Sequence, residues 1–416
     1  MGRRVILIPL KVQPLSLRSS KGKNNMQRRR LLAAAPVLAA ASFAGTGARA
    51  VTTTTPKATQ TIFDFGAVGD GVTDDSGAFN KALAWASANN STVLVPGLNY
   101  CIANPIRCTP TGNVVAPWGL LGQGATLTSK ITNGADVMFL SSNTVVRYFH
   151  MSNIKIQGSG SDGNGLHMQV LSGSSFFYNA IVDGISIEGA GQHGLFVEGN
   201  VFESAFNNSF FQDNKKNGAT FADSGGGVCS AINIMNCYFN QNGASGLVAT
   251  VIGAQYGGAT DVRVYGGYCR DNQQFGFYYN NGTNGACITQ VGFENNCRSL
   301  SPGDPNGAHV YSLTSIKMRD CNGYNQGGGA TYLTRGWYNN PCLLDGCTQA
   351  AGGAMAATGA SRLAQVNGAN TGIFLMSNSN GGVTSVAGNQ CPWQAVNCTG
   401  PSPIGNLGLG KTLTGL

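Results

Sequence analysis

Three stretches share one spacing: DNKKNGATF (Asp213–Phe221), QNGASGLVA (Gln241–Ala249) and DNQQFGFYY (Asp271–Tyr279). In each, an asparagine stands four residues before a glycine, and the glycine opens a short alternating strand. The glycine-plus-strand unit recurs as Gly165-LHM, Gly194-LFV, Gly218-ATF, Gly246-LVA, Gly276-FYY, Gly307-AHV and Gly329-ATY, at gaps of 29, 24, 28, 30, 31 and 22 residues. A second alternating strand precedes several of them: Ile154-KI, Ile185-SI, Ile232-NI, Val262-RV and Ile316-KM. Sixty glycines and 11% charged residues would fit either a disordered chain or a turn-rich β protein. The repeat decides for the latter. Short strands at a near-constant period are the coils of a parallel β-solenoid, an all-β fold.

The asparagines set the register. Asn214, Asn242, Asn272 and Asn325 precede their glycines by four residues, and Asn296 takes the equivalent place if SLSPGDPN (Ser299–Asn306) is an insertion. Stacked coils lie about 4.8 Å apart, a spacing that lets side-chain amides bond from coil to coil. This predicts an asparagine ladder inside one corner, with a structural role.

Upstream stands FDFGAVGDGVTDDSGAFNKAL (Phe63–Leu83). Gly66, Gly69 and Gly71 suit backbone conformations closed to other residues. Thr73 or Asp74 can cap a helix that begins near Asp75 and buries Ala78, Phe79, Ala82, Leu83 and Ala86. Such a helix would plug the end of a solenoid, and the aspartates would be turn and cap residues. This stretch, with TVLVPGLNY (Thr92–Tyr100) and GQGATL (Gly122–Leu127), resembles the N-terminal motif of the pectate-lyase-like superfamily. That group includes rhamnogalacturonases, polygalacturonases, uronan epimerases and phage tailspike depolymerases. The resemblance is detailed over residues 62–127 and extends through the coil pattern to about 350. It implies a single-stranded right-handed parallel β-helix with an N-terminal capping helix. The reaction is not specified by it.

Residues 1–50 read as a leader. Met26 begins MQRRRLLAAAPVLAAASFAGTGARA, a basic head, an alanine-rich run and small residues at Ala48 and Ala50. This is the pattern of an export signal of Sec or twin-arginine type, with 26 as a possible true start. The leader carries ten Lys or Arg and no acid; removing them from 26 leaves 16 basic against 18 acidic residues, a net −2. The overall +8 therefore belongs to the leader, and a nucleic-acid binder is not supported. The run Leu31–Ala44 is too short to span a bilayer, so no transmembrane segment is expected in the mature chain. Residues 51–350 are expected to form the solenoid, and 351–416 final coils or a capping segment. All twelve cysteines follow the leader; Cys101/Cys108, Cys342/Cys347 and Cys391/Cys398 are close enough for local disulfides, the alternative for some cysteines being simple buried thiols.

Strand alternation sorts the residues after each hub glycine, the second and fourth facing outward. The first outward column then reads His167, Phe196, Thr220, Val248, Tyr278, His309 and Thr331; the next reads Gln169, Glu198, Ala222, Thr250, Asn280, Tyr311 and Leu333. Phe196, Tyr278, His309 and Tyr311 suit stacking on a sugar ring. Five residues before the hub stand Asp213, Gln241 and Asp271. Two coils put the aspartate backbones about 10 Å apart, compatible with the ~6.5–9.5 Å between carboxyls of an inverting glycosidase. Arg270, Lys215 and Lys216 beside them can bind a uronate, and Arg270 can serve as base in a β-elimination. His193 and Glu198, with Glu188, form a second candidate cluster. GQHG (Gly191–Gly194) resembles the Gly-His-Gly of polygalacturonases. Their Asn-Thr-Asp, later Asp-Asp and Arg-Ile-Lys are absent here, as is the Asp-Pro-His-Glu of alginate epimerases.

The expected function is an exported protein that cleaves a uronic-acid-containing polysaccharide by β-elimination or hydrolysis. Ca²⁺ would serve a lyase, with Asp213, Asp271 or Glu294 as ligands; a hydrolase would need no cofactor. The alternative is a non-catalytic β-helix that binds glycan or builds an envelope or tailspike-like structure.

Overall fold

The computed structural model describes residues 59–351 apart from short internal segments, and strand segments from there to 413. The expected leader, Cys391 and Cys398 lie outside the described residues. The chain is a parallel β-solenoid. One sheet has twelve strands, running coil by coil from Ile106–Cys108 to Ile404–Gly405; the other has 26. Leu195–Gly199, for example, pairs in parallel with Leu166–Val170 on one side and Ala219–Asp223 on the other. Strands Arg362–Val366 and Val383–Ser385 continue the twelve-stranded sheet past residue 350. Among the described residues no helix is long and apolar enough to cross a membrane.

The aspartates of the opening motif all accept backbone hydrogen bonds. Asp64 accepts from the Thr61 amide, Asp70 from those of Val72 and Thr73, and Asp75 from those of Val68 and Gly69. Asp74 accepts from the amides of Ser76 and Ala103. Gly66, Gly69 and Gly71 have φ of 96°, 71° and 75°. Helix α1 (Ser76–Asn89) follows and buries Ala78, Phe79, Ala82, Leu83 and Ala86. Phe79 packs edge-on against Tyr100 of the first coil.

Inside the coils, side chains stack in columns. Ile187, Phe211, Phe239, Cys269 and Phe293 follow one another through consecutive strand pairs, and the Phe211 and Phe239 rings lie 5.3 Å apart at 12°. The five Ile/Val strand starts fall into two columns rather than one. Ile154 and Ile185 precede paired residues in one strand, whereas Ile232, Val262 and Ile316 line another. Each coil bends more often than the sequence period reveals.

The asparagine ladder is continuous. Asn214 Nδ2 donates to Asn242 Oδ1 at 3.0 Å, Asn242 to Asn272 at 2.9 Å, and Asn272 to Asn296 at 2.8 Å. It also explains the hub glycines. A Cβ at Gly194, Gly218, Gly246 or Gly276 would meet the next ladder amide nitrogen at 2.7, 2.9, 3.0 and 3.0 Å. Asn325 is buried in the same region and donates to the Ala330 carbonyl.

After the insertion the register departs from the sequence expectation. Phe277 pairs with Val310, and Tyr278 with Tyr311, so His309, not Gly307, occupies the hub position. His309 is fully buried, and Asn296 Nδ2 donates to its Nδ1 at 3.1 Å. Its expected outward place is therefore corrected, because the imidazole replaces the next rung of the ladder. The slip is two residues in this coil and four in the next, where Arg335, not Thr331, pairs with Tyr311.

The disulfide expectation is corrected where it can be followed. Cys101, Cys108 and Cys347 are buried free thiols. Among the described residues, Cys321 and Cys347, 26 residues apart in sequence, meet on neighbouring coils.

Burial lowers the His309 pKa from 6.5 to about 3. The folded imidazole is neutral while the unfolded one charges below pH 6.5. Its contribution is thus present above that pH and lost as pH falls toward 3, by about 1.4 kcal/mol per unit. Urea unfolding at pH 7 and 4.5 should show His309→Gln losing roughly 2 kcal/mol less than the parent across that step. Equal losses would remove His309 as the source.

Candidate active site

The outer face of the twelve-stranded sheet carries one continuous column: Arg107, Phe139, His167, Phe196, Thr220, Val248, Tyr278, Tyr311 and Arg335. Alternation turns each residue's strand neighbours into the core.

At its N-terminal end lies a chain of ionisable groups. Asp136 Oδ2 is 2.7 Å from His167 Nδ1, and His167 Nε2 is 3.0 Å from Glu198 Oε1. Asp136 Oδ1 accepts from the Asn164 amide and side chain, which fixes the first carboxylate. Gln169 Nε2 donates to Glu198 Oε1 at 2.5 Å. His167 and Glu198 are each 7% exposed. Burial opposes charge on His167, but the bonds to Asp136 and Glu198 outweigh it and raise its pKa above 6.5. Burial likewise opposes charge on Glu198, yet hydrogen bonds from His167, Gln169 and Ser224 hold its pKa below 4.5. The hydrogen bonds thus favour the charged forms of both His167 and Glu198.

Aromatic rings enclose it. Phe139 and Phe196 flank His167 at 4.9 and 4.8 Å, and His193 stacks on Phe196 at 5.3 Å. Arg107 lies over Phe139. Burial, then Lys216 and His167, push the His193 pKa down to about 4. Its Nδ1 accepts from the Asn217 amide at 3.3 Å, so the neutral ring carries its proton on Nε2. Lys216 donates to Gln192, while Lys215 is exposed on the same turn.

Three coils beyond Phe196 the column turns aromatic again. Tyr278 and Tyr311 stack 5.7 Å apart at 4°, Phe275 lies over both, and Arg335 covers Tyr311. The expected sugar-stacking residues Phe196, Tyr278 and Tyr311 therefore share one face.

Asp213, Arg270 and Asp271 stand at the other side of the asparagine corner, at the ends of strands of the 26-stranded sheet. Asp213 and Asp271 have φ of 55°, and the intervening corner position, Gln241, has 53°. Asp213 is exposed, and partial burial and Glu188 raise its pKa. Both Asp271 oxygens are engaged, Oδ2 by Arg270 at 2.9 Å and Oδ1 by Arg298 at 3.1 Å. Glu294 accepts from the Tyr268 hydroxyl and faces Arg270. Glu188 pairs with Lys155 rather than joining His193 and Glu198. Among the described residues no three His, Cys, Asp or Glu side chains converge on a metal site. The expected calcium donors Asp271 and Glu294 face guanidinium groups instead, which does not suit a cation.

The sequence singles out Glu198, His193 and Phe196 and sets His167 and Gln169 in the outward columns, but it misses Asp136 and Phe139, the partners of His167. Asp136 precedes Phe139 by three residues, as His193 precedes Phe196 and Phe275 precedes Tyr278. Extending the column one coil before the first hub glycine would have found it.

This parallel β-solenoid is of the pectate-lyase-like β-helix class. Residues 61–350 match the rhamnogalacturonase A/epimerase, pectate lyase-like family, and the chain belongs to it. No curated protein matches it in sequence. Among solved structures it is similar to the A-module of mannuronan C-5 epimerase AlgE6 of Azotobacter vinelandii, with a TM-score of 0.53 at 14% identity, covering 86% of this chain and 99% of that one. The Agl-KA catalytic domain gives 0.59 at 15%, covering 86% and 68%. Full-length tailspike protein 2 of Escherichia coli O157:H7 bacteriophage CAB120 gives 0.54 at 14%, covering 77% of this chain and 42% of that one. At these identities the likeness is one of fold.

Proposed function

We propose that the protein is an exported enzyme that cleaves a uronic-acid-containing polysaccharide lying along the outer column of the twelve-stranded sheet. The observation that carries this reading is the Asp136–His167–Glu198 chain set among aromatic rings. Opposed pKa shifts on neighbouring groups mark an acid and a base. Glu198, held ionised, is the base that meets a proton or a water. His167, whose pKa is raised by its two carboxylate partners, is the donor toward the leaving oxygen. Asp136 orients His167, and the neutral His193 offers Nε2–H to a sugar hydroxyl. Tyr278 and Tyr311 would hold sugars further along the chain, and Lys215 and Lys216 a uronate carboxylate.

The mature protein from Val51 onward is to be incubated with pectate, rhamnogalacturonan, alginate and a bacterial capsular glycan, with and without Ca²⁺. New reducing ends together with ultraviolet absorbance of an unsaturated uronate would mean elimination. Reducing ends alone would mean hydrolysis. Neither signal on any glycan would reject cleavage of these substrates. The non-catalytic reading is favoured by one observation: His167 and Glu198 bond each other, which leaves little of either free. Binding of a glycan with no cleavage is what it predicts.

A further inference from the structure

The 26-stranded sheet has an outer column of its own: Ser186, Phe210, Tyr238 and Tyr268. Phe210 and Tyr238 are 44% and 38% exposed, although neither is needed by the core. Their rings stack 4.8 Å apart at 9°. Tyr238 thus covers one face of Phe210. On the other side the neighbouring coil presents Ser186, too small to cover a ring. Beyond Ser186, along the preceding coils, a groove of about 440 Å³ opens, with Thr126, Asn153, Lys155 and Ser186 in its lining. Gly124 and Gly184 at its corners have φ of 84° and 61° and leave the wall without side chains. Lys155 and the Ser186 hydroxyl both bond Glu188, at 2.6 and 3.0 Å.

We infer that this groove and the uncovered face of Phe210 form a second carbohydrate-binding site, which holds polysaccharide without cutting it. A pyranose has an apolar C–H face and a hydroxyl rim. The ring of Phe210 meets the first; the Asn153 amide, the Thr126 hydroxyl and the Lys155–Glu188 pair meet the second. The volume lies within the ~300–1,000 Å³ of small-ligand sites. Exposed apolar surface rimmed by polar groups is the ordinary mark of a binding patch. The inference rests on the functional reading only for the class of ligand. Two sites on one polymer reinforce each other through effective concentration.

The test uses the full mature chain carrying Glu198→Gln, so that ligand is not consumed. Retention is measured in native gels containing pectate, rhamnogalacturonan, alginate or capsular glycan. Phe210→Ala, and separately Ser186→Tyr, which fills the space over Phe210, should each lower affinity for the retained polysaccharide at least tenfold. With Glu198 intact, both variants should cut short oligosaccharides at the parent's rate. Affinities within twofold of the parent's in both variants would overturn the site. So would an oligomer that depends on Phe210 with no polysaccharide retained. Phe210-dependent retention without cleavage of any glycan would leave this site standing and remove the catalytic reading.

Discussion

Glu198→Gln is expected to lower kcat on the cleaved polysaccharide by roughly 10²–10⁴-fold, the usual contribution of a positioned acid or base. The substitution keeps the size of the side chain and its acceptor oxygen. His167 Nε2 and Gln169 Nε2 both lie within bonding distance of Oε1 in the parent, so the fold should survive, as circular dichroism would check. What disappears is the charge. One of the two carboxylates that raise His167 is lost with it. The parent should work over a broad pH range, with an acid limb below pH 4.5 from Glu198 and an alkaline limb above 6.5 from His167. Residual activity of the variant should show its alkaline limb at lower pH. A Glu198 side chain that served only structure would leave kcat at the parent's value. The reading built on Asp213 and Asp271 makes the reverse prediction: loss of activity in Asp213→Asn and Asp271→Asn, with Glu198→Gln active. One set of pH–rate profiles separates the two.

The solenoid was legible because its constraints are local and repeated. An asparagine and a glycine four apart are tied by contact, since the ladder nitrogen of one coil sits where the preceding coil's glycine would carry a Cβ. The same rule failed at Gly307. There the insertion lengthens the turn, and His309 takes the hub place by offering Nδ1 to Asn296. Glycine spacing cannot signal a rung made by an imidazole. The candidate site was half legible for a different reason. Glu198, His193 and Phe196 lie on one short stretch, but Asp136 reaches His167 from a coil that lacks a hub glycine. Asp271 reads from its spacing as one carboxylate of an inverting pair with Arg270 beside it, and only the fold brings Arg298 to its second oxygen from 27 residues away. Spacing gives positions along the solenoid; it does not report which charges a turn folds back to neutralise.

Asn242→Ala should cost stability on the order of 3–6 kcal/mol, because several buried groups lose partners worth about 1–3 kcal/mol each. Asn242 Nδ2 donates to Asn272 Oδ1 and to the Phe211 carbonyl, at 2.9 and 3.0 Å. Its Oδ1 accepts from the side chain and amide of Asn214, at 3.0 and 3.3 Å. Asn242 is wholly buried, so no water replaces these bonds. Asn242→Asp is the sharper variant. It keeps the acceptor for Asn214 but sets an oxygen against Asn272 Oδ1 and the Phe211 carbonyl, two acceptors that require a donor. At neutral pH it should therefore be at least as damaging as alanine, and part of the loss should return in acid, when a protonated carboxyl can donate again. Urea unfolding of the parent and both variants at pH 7 and 5 measures this. In a solenoid each coil touches only its neighbours, so a broken central rung should also split the transition into two. A single transition, displaced by less than 1 kcal/mol in either variant, would mean that strand pairing holds the corner and that the ladder only decorates it.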